Sequence, residues 1–242
     1  MAYLISLSHA PTYILLSKFY GIRPATLFIV WFVTSVSTAA PFFISRQIRW
    51  THKPSYTRNR SISNAVVLAD LPTTIYTSLL AALIYAVALY ICFATWLPAH
   101  LVTHFDGLPD IRVVHAGSKG FVSLLIQLIP VGCFVREFIL VPSAGLSHSA
   151  DQVMVYAGGR QGEFIITSIY RKTWISLRAK SKVLLTRTVV LATVTMLNTM
   201  IQVWGTINGV ELEGAVEWAA IWTGATLLIG SAFGWIQAAD GL

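Results

Sequence analysis

Within one stretch of sixteen residues the chain places His100, His104, Asp106, Asp110 and His115. Imidazole nitrogen and carboxylate oxygen are the donors that hold divalent metals. The spacing His100-x3-His104 puts both imidazoles on one face if the segment is helical. Pro98, just upstream, weakens a helix running on from the apolar stretch before it. Ordinary loop histidines are the favoured reading. His100, His104, Asp106 and Asp110 are retained as the metal candidates, and no cofactor is expected.

The His100-x3-His104 pair resembles one histidine box of the membrane di-iron hydroxylases. That resemblance implies a membrane-bound, lipid-modifying enzyme. It covers one box where such enzymes carry several, and His9, His52 and His148 are isolated in the chain. No Gly-x-Ser-x-Gly, Cys-x-x-Cys or kinase signature occurs. Gly158-Gly159-Arg160-Gln161-Gly162 lacks the Lys-Ser/Thr of a phosphate loop. A non-catalytic protein is therefore expected.

These residues must be positioned by apolar helices. Thr74 to Leu97 contains no Asp, Glu, Lys, Arg, His, Asn or Gln. At 1.5 Å per residue it is long enough to cross a hydrocarbon slab of about 30 Å. Of the 242 residues, 55% are hydrophobic and only 11% charged, well below the roughly 25% charged of soluble domains. The fold class is all-α, a single polytopic membrane domain over 1–242 with about five transmembrane helices. The spans are 25–44, 74–97, 121–140, 188–204 and 217–236. Residues 1–22, interrupted by Pro11, read as an interfacial segment. Residues 141–187 read as a cytosolic loop, with a glycine-turn hairpin at 153–170 and a basic amphipathic helix at 171–187. Cys92 and Cys133 lie in different apolar runs and read as small packing residues.

The net charge of +7 sits in blocks between spans, a membrane-orientation signal rather than a nucleic-acid footprint. Placing the loop after the first span in the cytosol collects 13 of the 17 Lys and Arg residues on that side. The expected orientation is N-out, C-in. Arg171, Lys172, Arg178, Lys180, Lys182 and Arg187 then face anionic lipid headgroups. Trp96, Trp204 and Trp218 are expected at the opposite boundary.

Intramembrane polar residues are Gln127, Arg136, Glu137, Asn198, Gln202 and Glu217. Arg136 and Glu137, as sequence neighbours, are expected on different helix faces and unpaired. Gln127, Asn198 and Gln202 suit helix-to-helix hydrogen bonds, or the lining of a solute path. Ala220, Gly224, Gly230, Ser231 and Gly234 are small enough for close helix packing, within the chain or against a partner helix. The expected function is to organise or stabilise a membrane complex. Its expected partners are the bilayer and a membrane protein or second copy, without nucleic acid. The alternatives are a transporter or channel subunit, and the metal enzyme already named.

Overall fold

A computed structural model describes residues 2–50, 70–108, 117–144 and 178–239. Among them the chain forms helices α1 (Ala2–Phe19), α2 (Pro24–Trp50), α3 (Leu71–Ala94), α4 (Leu97–His104), α5 (Gly117–Ala144), α6 (Ala179–Thr206) and α7 (Leu212–Ala239). The all-α expectation holds across these residues. The expected hairpin, and residues 171–177 of the expected basic helix, lie outside them. Lys180, Lys182 and Arg187 belong to the first turns of α6 itself.

Among the described residues four helices are long and apolar enough to cross a membrane: Leu71–Ala94, Lys119–Ser143, Lys180–Thr206 and Leu212–Ala239. Of α2, expected as the first span, Pro24–Thr38 is a shorter apolar helix. Most of these helices overrun the apolar windows at their ends. A window marks only the part that hydrocarbon demands, whereas the hydrogen-bond ladder continues through polar end residues until a cap interrupts it. Large apolar side chains cover the outside, including Phe28, Ile29, Ile75, Ile126, Leu197, Ile201 and Leu228, each more than half exposed. A water-facing protein rarely carries such a belt.

The bundle is organised by pairs. α7 packs along α6, α5 packs along α3, and both pairs are joined through α3 with α7 and α5 with α6. Of residues 1–22, expected at the interface, 2–22 form α1 and its exit turn. α1 packs against α2, α5 and α6, burying Leu7, Ala10, Ile14, Leu15 and Phe19. Pro11 does not break it. The carbonyls of α1 are acceptors for three other helices. The Trp31 indole donates to Ser6 O at 2.9 Å, Asn198 to Ser8 O at 2.8 Å, and the Trp218 indole to Pro11 O at 3.2 Å. Tyr3 meets Phe134, and Phe19 meets Phe93 and Trp218 edge-on. α1 therefore runs through the depth of the bundle.

Trp218 is fully buried, against the expectation of an interfacial tryptophan. Its indole N–H is satisfied inside by Pro11 O, so the ring has no need of the headgroup region. Trp96 and Trp204 are exposed, as expected of them.

Small residues decide how closely the helices approach. A Cβ on Gly132 would lie 2.4 Å from Ser78 O and 2.9 Å from Ala82 N, both backbone atoms of α3. One on Gly230 would lie 2.2 Å from the Thr188 methyl. Between α3 and α7, Tyr85 and Thr226 share a buried hydrogen bond of 2.7 Å.

Gly132→Val should separate α3 from α5 and cost about 1–3 kcal/mol. The expected result is a clear drop in the thermal midpoint of the detergent-solubilised protein. Gly224→Ala, whose new methyl meets nothing within 4 Å, should leave that midpoint unchanged.

Candidate functional site

The histidine pair is built at one end of the bundle. α3 stops at Ala94, and Pro98 falls in the first turn of α4, where its missing N–H costs nothing. The proline that was expected to weaken a helix therefore starts one. His100 and His104 lie a turn apart on it, their rings 6.0 Å apart at 29°. Trp96 packs edge-on against His100 at 5.2 Å.

The partner residues come from the turn between α6 and α7. Asp106 N–H donates to Gly209 O at 2.8 Å and Glu211 N–H to His104 O at 3.0 Å, a two-bond antiparallel clasp. Gly209 has φ +81°, which side-chain-bearing residues rarely adopt, and a Cβ there would sit 2.6 Å from that of Asp106. A Cβ on Gly214 would meet Phe105 at 2.7 Å and His104 at 2.8 Å. Glycine at both positions lets the start of α7 close onto α4.

The clasp surrounds the histidines with carboxylates. His104 Nδ1 lies 2.7 Å from Glu211 Oε2, and Glu213 Oε2 is 4.0 Å from His104 Nε2. His100 Nδ1 lies 2.9 Å from Glu217 Oε1. Those two atoms are close but not aligned for hydrogen bonding. His100 Nδ1 and Glu217 Oε2 are buried atoms with no hydrogen-bond partner among the described residues. The hydrogen bond to Glu211, with the added charge of Glu211, Glu217 and Glu213, raises the His104 pKa above its ordinary value, although desolvation lowers it.

The fold thus brings His100 and His104 to Glu217, a residue assigned from sequence only as an intramembrane polar group. Asp106 instead packs its backbone against Gly209, and Asp110 lies outside the described residues. Glu211 and Glu213 were not singled out as site residues. The one signal for them was that the topology puts the histidine-bearing loop and this acidic turn on the same side.

At the other end, Arg136 is buried and donates from Nε to Thr77 Oγ1 and from Nη2 to Thr74 Oγ1, both at 2.9 Å. It also pairs with Glu137, which corrects the expectation that sequence neighbours could not meet. The long guanidinium arm turns sideways across the angle between two Cβ directions. Of the expected lipid-binding cations, Arg171 and Lys172 lie outside the described residues. Arg178 is exposed at the start of α6, Lys182 is half-buried and Lys180 is buried. Arg187 donates to Phe138 O at 3.0 Å and covers the Phe138 ring at 5.3 Å. Pro142 has no N–H to give that carbonyl, which is four residues earlier in α5. Arg187 supplies the missing donor.

Asn198 and Gln202 both tie α6 to α1: Asn198 through Ser8 O, and Gln202 through His9 and Thr12. Gln127 instead faces a cavity of about 120 Å³ between α1, α2 and α5, with Tyr13, Trp31 and Pro130. On α7, Gly230 is buried against Thr188, and a Cβ on Gly234 would lie 3.8 Å from Leu184. Ala220, Gly224 and Ser231 face outward.

Apolar helices, an outward apolar belt and polar clasps at the two ends define a helical membrane protein. The Bouquet formation protein 3 C-terminal domain matches residues 70–201, over half of the chain, and the chain belongs to that family. The match runs from the residue before α3 into the last turns of α6, so it includes His100, His104, Arg136 and Arg187. Comparison with curated proteins gives no match, and neither does comparison with solved structures.

The proline–arginine relationship can be isolated by a double-mutant cycle. Arg187→Met should be costly beside Pro142 and less so beside Pro142→Ala, which restores the N–H to Phe138 O. The expected coupling is about 0.6–1.7 kcal/mol, read from unfolding of the purified protein in detergent.

Proposed function

We propose that this protein is a non-catalytic multi-pass membrane component that organises or stabilises a membrane complex. The family name attaches this to bouquet formation. The observation that carries the reading is the outer face of α7. Its small residues are divided: Gly230 is used inside the chain, whereas Ala220, Gly224 and Ser231 are turned outward beside Leu227 and Leu228. Small residues facing lipid let a second helix approach closely, and such contacts drive association where no hydrophobic gain is available.

In this reading the end carrying Arg136, Arg178, Lys180, Lys182 and Arg187 is cytosolic, with Arg171 and Lys172 adding to its attraction for anionic headgroups. The His–Glu clasp then lies on the opposite side. The contact of Tyr3 with Phe134, near the Arg136 end, supports an α1 that begins in the cytosolic half. We therefore favour that placement over the N-out expectation. In the same reading α7, running from the clasp toward Leu184 and Thr188, ends in the cytosolic half.

The test is purification of the full chain from its native membranes in mild detergent, followed by native mass measurement. The expected result is a stoichiometric complex with a membrane protein. Gly224→Leu with Ser231→Leu should weaken it about tenfold, some 1.4 kcal/mol, with the thermal midpoint unchanged. Wild-type protein free of any partner, or a complex indifferent to the two substitutions, would overturn the reading.

A further inference from the structure

The geometry points to a divalent transition-metal site, of zinc-binding character, formed by His100 and His104 of α4 with Glu217 of α7. One ligand atom from each of these side chains lies within 4.8 Å of the other two. The residues come from opposite parts of the sequence, and the backbone clasp between residues 104–106 and 209–211 holds them together.

Three features separate this cluster from a chance ion pair. The first is the donor set. Two imidazoles and one carboxylate suit zinc and its neighbours, and do not suit magnesium or calcium, which take oxygen ligands. The second is the unmet bonding at its centre. Among the described residues His100 Nδ1, although 2.9 Å from Glu217 Oε1, and Glu217 Oε2 are buried without a hydrogen-bond partner, so a cation between the two side chains would give both atoms one. The third is the outer contact. Glu211 holds His104 through Nδ1 at 2.7 Å, which fixes the ring and leaves Nε2 for a metal. A carboxylate behind a ligating imidazole is the usual support for such a ligand.

Glu213 Oε2, 4.0 Å from His104 Nε2, is placed to complete a four-ligand shell by a side-chain rotation. Four protein ligands would make the ion a staple between α4 and α7, closing this end of the bundle, rather than a catalyst with an open position. The candidate set retained from sequence is thereby revised, with Glu217 in the place of Asp106 and Asp110.

The experiment uses the full chain in detergent, free of any polyhistidine tag, stripped with chelator and held at about pH 8, so that protons compete little with the metal. Zinc is titrated by calorimetry, and cobalt is followed by its visible absorption, which reports a tetrahedral site. The expected result is one ion per chain and a rise in thermal midpoint with added zinc. Glu217→Gln should weaken binding at least tenfold, and Glu211→Gln by about 10–100-fold through loss of the supporting carboxylate. Asp106→Asn should leave affinity unchanged. Joint replacement of His100 and His104 by Ala should abolish binding. If that variant does not fold, the isosteric Glu217→Gln and Glu211→Gln variants decide the matter. No saturable binding by the wild type, or binding equal in Glu217→Gln, would overturn the assignment.

Discussion

Hydrocarbon offers no water to a peptide group, so each backbone N–H and C=O must find its partner within the protein. The seven helices answer that demand, and many of the tertiary contacts are refinements of it. Where Pro142 withholds its N–H from Phe138 O, Arg187 reaches across from α6. Around Pro11 in α1, the nearby carbonyls of Ser6, Ser8 and Pro11 receive side-chain donors from α2, α6 and α7. The side chains of Trp31, Asn198 and Trp218 are thus engaged with backbone, and this ties α1 into the bundle. The same demand explains the close contacts at Gly132 and Gly230. With no water to expel between helices, packing contact must supply the attraction, and contact is greatest where a side chain is missing.

The two ends of the bundle differ in chemistry. One gathers Arg136, Arg187 and the first turns of α6 around Thr74, Thr77 and Phe138. The other closes with the paired segments 104–106 and 209–211, where histidines meet glutamates. The start of α3 meets the end of α5, the end of α5 meets the start of α6, and the end of α4 meets the start of α7. α5 accordingly runs the distance between the two ends of the bundle, and it is long and apolar enough to cross a membrane.

Four of the five expected spans coincide with helices long and apolar enough to cross a membrane, because a long run without charge has few other uses. Leu71–Ala94 and Leu212–Ala239 could be placed to within a few residues of their apolar windows. The direction each helix faces was not legible. A helix surrounded by lipid is apolar on both its inward and outward sides, so no polarity contrast marks the core. Trp218 was accordingly assigned to the surface and is buried, while Gly230 faces inward and Ala220 and Gly224, grouped with it as small packing residues, face outward. Pairing of Arg136 with Glu137 escaped a rule built on Cβ positions, because a flexible arm is free of it. The meeting of His100 with Glu217 spans more than a hundred residues and depends on Gly209 and Gly214, whose necessity appears only once the chain is folded.

The central claim is that α6 crosses the bilayer and carries the two chemically distinct ends to opposite sides. Single cysteines at Ser181 and Asn208, introduced after Cys92 and Cys133 are replaced by alanine, report on its two ends. They are exposed to a membrane-impermeant thiol reagent in sealed, oriented vesicles. The account predicts that one site is modified in intact vesicles and the other only after permeabilisation, with Ser181→Cys on the cytosolic side. Modification of both from the same side would contradict it.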